Sequence, residues 1–302
     1  MLSILIPTYN YICTQLVQDL WKQSKNLSPQ IPFEILVADD ASSDKVTIQA
    51  NKSINEIENC TFLELEKNIG RASIRNLLAE KAKYKYLLFI DSDAEICRKD
   101  FIAKYLQTAN EQIIVCGGIQ NVSTIPSSQY YLRYLYEESA CYIRTTSYRN
   151  AHPYSQFSSF NFLIPKKIFQ TIRFDERCIR YGYEDALLGY RLKEANINVL
   201  HIDNPLIHNG IDTNIEFLKK TETSLQTLQS LGEDAYKYAR IARIFKKIET
   251  LRLCFLLRLW HKLFGGIERK ILLKGKPTVF LLQLYKLGYL SSLPSQKKTC
   301  TK

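Results

Sequence analysis

Tyr86-Leu87-Leu88-Phe89-Ile90-Asp91-Ser92-Asp93 is an apolar run that ends abruptly in two carboxylates one residue apart. Residues 86 to 90 lack polar alternation, the pattern of a strand buried on both faces of a mostly parallel sheet. Helices cover such a sheet, so its open place is the carboxyl end of the strands, where ligands bind in open α/β folds. Asp91 and Asp93 are expected at that end. Two carboxylates there repel each other and lose solvation, a cost that a divalent cation with its own oxygen-rich ligand offsets. Taken alone, Asp-Ser-Asp fits equally well a polar turn that caps the next helix.

Upstream, two more apolar runs read as buried strands, Leu2 to Pro7 and Phe33 to Ala38, the second followed by Asp39-Asp40. Between them Leu16, Leu20 and Trp21 recur at helical spacing, and strand, helix, strand opens a parallel sheet. A short strand at Phe62 to Leu65 and a helix from Arg71 to Ala82 lead into the acid-terminated strand. Downstream, Glu111 to Cys116, Phe160 to Pro165 and Asn198 to Ile202 read as further strands, with a helix from Glu184-Asp185 to Glu194. From Ile119 to Gln156 the pattern weakens and tyrosines crowd in, among them Tyr130, Tyr131, Tyr134 and Tyr136. Each offers an apolar face and a polar tip, as sugar stacking or ordinary packing requires.

The 302 residues, 46% of them apolar, are enough for one large α/β domain or two smaller ones. The eight cysteines form no Cys-x-x-Cys pair and no zinc-ligand cluster, so they are expected to be reduced thiols in a cytosolic setting. The segment Met1 to Pro7 lacks the basic region and cleavage site of a secretory signal, and the fold is expected to start at residue 2. The net charge of +11 is unevenly spread: residues 1 to 235 hold 25 Lys/Arg against 28 Asp/Glu, whereas residues 236 to 302 hold 16 against 2. A nearly neutral body therefore carries an appended segment that seeks anionic surfaces.

Five patterns occur in a fixed order: Ile4-Leu5-Ile6-Pro7-Thr8-Tyr9-Asn10; Glu34 to Asp44 with Asp39-Asp40; Asn68-Ile69-Gly70 with Arg75-Asn76; Asp91-Ser92-Asp93; and Phe174-Asp175-Glu176 followed by Tyr181-Gly182-Tyr183-Glu184-Asp185. Together they resemble the family 2 inverting glycosyltransferases of GT-A fold, over roughly residues 1 to 210. The resemblance implies an α/β, Rossmann-like, mostly parallel sheet flanked by helices. It divides the chain into a nucleotide-sugar-binding half (1–118), an acceptor-binding and catalytic half of the same domain (119–232), and a basic amphipathic helical tail (233–302).

It also implies roles. Pro7, Thr8 and Tyr9 would contact uridine, and Asp39 would accept a hydrogen bond from the imide nitrogen of uracil, with Asp40 as the structural partner. Asn68, Gly70 and Arg75 would complete the nucleotide-sugar site, Gly70 by close backbone approach and Arg75 as a fork for phosphate or for the nearby carboxylates. Asp91 and Ser92 would border the diphosphate, and Asp93 would be the direct ligand of Mn²⁺ or Mg²⁺, with Asp91 beside it and His208 as a further ligand. His201 is a weaker competitor. Asp185 would be the base that takes the acceptor proton, and Glu184 would orient sugar hydroxyls. Read alone, that last pair equally fits acids at a helix N-terminus. Two departures from the family stand out: Ala41 where Gly is usual after the Asp pair, and Leu187 where an acid often follows the base.

The expected reaction is metal-dependent, inverting transfer of a hexosyl or N-acetylhexosaminyl group from a nucleotide donor, a UDP-sugar, to a glycan or lipid-linked acceptor of cell-surface polysaccharide synthesis. In the tail, Ile241, Ile244, Phe245, Ile248, Leu251, Phe255, Leu259 and Trp260 alternate with Lys and Arg at a spacing that fits one or two amphipathic helices. No charge-free stretch of the tail, Pro277 up to Lys286 included, approaches the roughly 20 residues that span a bilayer. The expectation is a cytoplasmic protein, peripheral on the inner face of the cell membrane, its tail on anionic lipid or packed on the catalytic domain. No nucleic acid is expected. A nucleic-acid-binding protein using the tail would leave the acid motifs unexplained, and a nucleotide-sugar binder without turnover is the other alternative.

Overall fold

A computed structural model of the chain describes residues 1–121 and 127–294. They form two compact units, one of residues 1–121, 142–179 and 184–210, the other of 127–141, 180–183 and 211–294. The range 119–232 contributes to both units, and the basic tail falls in the second.

The first unit is built on a seven-stranded sheet. Its strands are β1 (Leu2–Thr8), β2 (Phe33–Asp39), β3 (Cys60–Glu64), β4 (Tyr86–Ile90), β6 (Ile113–Cys116), β8 (Asn161–Pro165) and β9 (Asn198–His201), in the order β3-β2-β1-β4-β8-β6-β9. Pairing is parallel throughout except where β8 runs antiparallel to both β4 and β6. The sheet is thus mostly parallel, as the unalternated apolar runs require. Every residue of β2 and β4 is buried. The helix Thr14–Lys25 lays Leu16, Val17 and Leu20 into the layer containing Ile4, Ile35, Val37 and Leu88. On the other face Phe89 stacks on Phe162, with ring centroids 4.9 Å apart. Each such side chain contributes about 1.5–3 kcal/mol by leaving water.

A second, three-stranded sheet, β5 (Ala94–Glu95), β10 (Leu206–His208) and β7 (Ile119–Gln120), sits beyond the end of β4. In it β10 pairs antiparallel with β5, placing His208 opposite Ala94. This short pairing carries a residue 115 positions away in sequence back to the acid turn.

The second unit is helical. Leu132, Phe217, Leu218, Leu272, Leu282 and Tyr285 form its core, drawn from the helices Tyr131–Glu138, Asn214–Ser230, Cys254–Lys274 and Val279–Ser292. The helix Asn214–Ser230 begins with a capping box, Thr213 and Glu216 each satisfying the other's backbone amide. Asn214 then accepts from the Leu132 amide and donates to the Ser128 and Leu273 carbonyls, tying three segments together. The amphipathic expectation for the tail is met by the helices Arg240–Thr250 and Cys254–Lys274. Among the described residues no helix is long and apolar enough to cross a membrane.

Candidate functional site

The predicted site residues fall at the carboxyl ends of β1, β2 and β4, at the start of the helix Arg71–Lys81, at the start of the helix Glu184–Glu194, and at β10, all within the first unit. In the register of β1 and β2, Pro7 lies opposite Ala38 and Thr8 opposite Asp39, so the residues expected to meet uridine are neighbours. Tyr9 is half exposed beyond them. Asp39 is fully buried; one of its carboxylate oxygens accepts from the Ser42 amide at 2.7 Å and the other has no partner among the described residues. Asn10 closes the corner by accepting from the Ser43 and Asp44 amides at 2.9 and 3.0 Å. Ala41 takes φ = 57°, in the left-handed region that glycine enters without strain. This gives the usual glycine at that position a physical reason.

Asp40 accepts from the amides of Ile69 and Gly70 at 2.7 and 3.0 Å, while Asn68 donates to the Asp40 carbonyl at 2.9 Å. Its negative charge thus sits at the N-terminus of the helix Arg71–Lys81, where the dipole favours it. Gly70 has φ = 87°, and a Cβ there would lie 2.7 Å from the Ile179 carbonyl oxygen. Asn68 and Gly70 therefore shape the start of this helix.

That helix points two arginines at the acids. Arg75, 2% exposed, donates to Asp91 at 2.6 Å and to the Arg71 carbonyl at 3.1 Å, and lies 3.8 Å from Glu184. Arg71 is more exposed and lies 3.7 Å from the same Glu184 carboxylate. Asn76, next along, exchanges hydrogen bonds with the Phe174 backbone and donates to Glu176. Asp175 is braced by Arg177 and Arg191, so the Phe174-Asp175-Glu176 motif is tied to the helix Glu184–Glu194 that carries Arg191.

Asp91 and Asp93, though adjacent, are held differently. Burial pushes the Asp91 carboxyl up, against the pull of Arg75. For Asp93 burial acts in the same direction, but the hydrogen bond and charge of His208 outweigh it and hold the carboxyl below its ordinary value. Asp93 Oδ2 and His208 Nε2 are 3.1 Å apart. Ser92 lies in the turn between the acids, which the Ala94 amide closes on the Asp91 carbonyl at 3.2 Å. The Gly210 backbone packs close against Asp93, where a Cβ would fall 2.2 Å from Asp93 Oδ2. Among the described residues no three His, Cys, Asp or Glu side chains form a metal-binding cluster. A carboxylate and an imidazole, both partly exposed, are nonetheless a donor set that fits Mn²⁺ or Mg²⁺, which take few protein ligands and complete their shell with phosphate oxygens and water.

Glu184 and Asp185 start their helix directly after Gly182 and Tyr183, both at positive φ. Glu184 is buried against the two arginines. Asp185 accepts from the Ala186 amide at 2.7 Å. Its pKa is pushed up to about 6 by burial and then by the neighbouring Glu184 charge, with Arg75 and Arg71 pulling it down. Leu187, at the position where an acid often follows, is core.

Arg71 is the residue that motif reading missed; its signal is the spacing of four from Arg75, which puts both on one helix face. His201 is excluded as a ligand by its contacts. Arg149 Nη1 lies 3.1 Å from its Nδ1 and the Pro153 carbonyl 2.9 Å from its Nε2. Because a guanidinium only donates and a carbonyl only accepts, both ring nitrogens are engaged in a neutral ring.

Arg75 thus links Asp91, beside the Asp93–His208 pair at the end of a parallel sheet, to Glu184, the neighbour of the raised Asp185 carboxyl. The model of glycosyl transferase family 2 matches residues 3–173, and the chain belongs to that family. Among curated proteins it is 37% identical over 95 residues to the poly(ribitol-phosphate) beta-N-acetylglucosaminyltransferase TarS of Staphylococcus aureus, covering 30% of this chain and 16% of TarS. It is 28% identical over 135 residues to a poly(ribitol-phosphate) beta-glucosyltransferase of Bacillus spizizenii, covering 43% of this chain and 21% of that protein. The matched stretches thus span only a minor part of these relatives. Among solved structures, TarS 1–349 in complex with UDP-GlcNAc aligns with a TM-score of 0.51 at 18% identity, over 96% of this chain and 89% of that one. The Pyrobaculum calidifontis mannosyltransferase PcManGT, in complex with GDP-Man and Mn²⁺, aligns with a TM-score of 0.54 at 14% identity, over 95% and 85%. These likenesses show the fold.

Proposed function

We propose that this chain transfers a sugar, with inversion, from a UDP-linked donor to a hydroxyl of a glycan or lipid-linked acceptor in cell-surface polymer synthesis, at an anionic membrane surface. The observation that carries the reading is Asp185, a partly buried carboxyl raised to about 6 and therefore matched to proton abstraction near neutrality. In this reading Asp185 takes the acceptor proton as the hydroxyl attacks the anomeric carbon opposite the departing nucleotide. Glu184, already engaged with Arg71 and Arg75, holds the more exposed Arg71 toward the donor rather than binding sugar itself. Arg75 is too deeply buried to leave Asp91 for a phosphate, so its part is to fix that carboxylate.

Asp39, with one unpaired carboxylate oxygen, is the acceptor for the uracil imide, and Pro7, Thr8 and Tyr9 flank the base. Asp93 and His208 would hold the metal. A divalent ion bound there supplies the positive charge that stabilises the leaving diphosphate. The UDP-GlcNAc of the TarS complex supports a UDP-sugar donor, and the Mn²⁺ of the PcManGT complex supports the metal. The ribitol-phosphate polymers named for two relatives support a polymeric cell-surface acceptor.

The test is UDP release from a panel of UDP-sugars, including UDP-GlcNAc and UDP-glucose, with Mn²⁺ and with EDTA. Metal-dependent release from one donor, lost on chelation, is expected. No release from any member, or release indifferent to EDTA, contradicts the reading.

A further inference from the structure

The tail helix Cys254–Lys274 has two unlike faces. One carries Gly265, Glu268 and Leu272, all buried, and packs in the core of the second unit with the helix Val279–Ser292. The other carries Phe255, Leu259, Leu263 and Ile267 at a spacing of four, with Leu256 and Trp260 beside them, every one between 43% and 61% exposed. A spacing of four places these side chains in one stripe along the helix. Six adjoining large apolar side chains left this exposed form a contiguous patch of the kind that marks a protein or membrane interaction site. The hairpin that this helix forms with Val279–Ser292 cannot be what covers it, because the core the two helices share lies on the opposite face.

Charge selects the occupant. Lys262, Lys270 and Lys274 flank or end the stripe, whereas Arg258 turns to the packed face and donates to the Ser291 carbonyl at 2.8 Å. The tail's two acids are already used: Glu249 pairs with Lys246 at 3.2 Å, and buried Glu268 accepts from Trp260 Nε1 at 2.7 Å. A second copy laid on this face would bring its lysines and arginines against these with no tail carboxylate between them. An anionic lipid surface supplies both what the stripe lacks and what its flanks attract. We infer that the helix Cys254–Lys274 lies in the plane of an anionic bilayer with this stripe inserted below the headgroups, while its other face stays packed on the hairpin. This deepens the membrane placement proposed above, from attraction of a basic tail to insertion of a defined face. It does not depend on the chemistry of transfer.

The experiment uses the full chain carrying Trp21→Phe, so that Trp260 is the sole tryptophan. With vesicles of phosphatidylcholine and phosphatidylglycerol, the expected result is co-flotation, a blue shift of Trp260 emission, and quenching by lipids brominated on the upper acyl chain. Vesicles of phosphatidylcholine alone should bind at least tenfold less. The triple variant Leu259→Ser, Leu263→Ser, Ile267→Ser replaces only exposed side chains, so it should keep its melting temperature yet lose at least tenfold in partition. Flotation without bromolipid quenching would overturn insertion. So would a triple variant that partitions like the parent, or a parent that sediments as a dimer which the triple variant dissociates without any vesicle binding. Preferential binding of RNA over vesicles would overturn the lipid assignment. No donor is present, so failure here leaves the transfer reading standing, and a chain that inserts but releases no UDP separates the two the other way.

Discussion

The two acid pairs of the site are built alike and tuned in opposite directions. In each, one carboxylate is locked by arginine, Asp91 by Arg75 and Glu184 by Arg75 and Arg71, and its neighbour is left for chemistry. The difference lies in what faces that neighbour. Asp93 faces His208, whose hydrogen bond and charge outweigh burial and hold the carboxyl below its ordinary value. Asp185 meets a like charge from Glu184 in a buried setting and is raised to about 6. In the proposed roles a metal ligand must stay ionised and a general base must exchange protons, and two acids that burial pushes the same way are set apart by facing an imidazole in one case and a carboxylate in the other.

The largest effect that separates the pairs is on turnover. Asp185→Asn keeps the shape and removes the base, so transfer should fall by about 10²–10⁴-fold, measured as kcat/KM with saturating Mn²⁺. In the parent, kcat/KM should be flat above pH 7 and decline below about 6, as the base takes up its proton.

Next comes the shared arginine. Arg75→Met leaves Asp91 without its 2.6 Å partner in a buried setting, a change that costs about 3 kcal/mol. The melting temperature should fall by roughly 6–12 °C. Because Arg75 also pulls Asp185 down, the acid limb of the pH profile should move to higher pH, and Arg75→Lys should restore much of both. A variant that melts normally with an unmoved limb would show that the arginine couples neither pair.

Smaller still is the stability that the base itself gives up. The folded value of Asp185, about 6, lies above its ordinary 3.8, so the folded protein holds the extra proton between those values and loses stability as pH rises through 6. Asp185→Asn should therefore be more stable than the parent at pH 8, by roughly 1–3 kcal/mol, with the gain vanishing toward pH 4. Thermal melts across that range check the sign.

The smallest effect lies outside both pairs. Ala41→Gly relieves a left-handed alanine at φ = 57° and should add about 0.5–1 kcal/mol without changing the pH profile. A shifted profile would mean that the loop after Asp39 is tied to the acids.

Much of this was legible in the sequence because it is local. The unalternated apolar runs gave the strands of the main sheet, and Asp91, Asp93, Glu184 and Asp185 stand where runs end and a helix begins. What was hidden depends on long-range pairing. His208 was marked by the family resemblance alone; by itself it reads as a lone histidine near a proline, and the two- and three-residue strands β5 and β10, too short to leave a periodic signal, bring it to Asp93. Arg71 looks like a surface residue until the helix after Gly70 is seen to aim it at Glu184. The tail's apolar residues read as one amphipathic population, but folding sorts Leu272 into a core and leaves Leu263 outside it.

The most direct test of the division between the pairs is calorimetric titration of UDP, with and without Mn²⁺, into Asp93→Asn and Asp185→Asn. Asp185→Asn should bind UDP with the parent's Mn²⁺ dependence while transferring almost nothing, and Asp93→Asn should lose that dependence. Undiminished Mn²⁺-dependent binding in Asp93→Asn, or its loss in Asp185→Asn, would contradict the account.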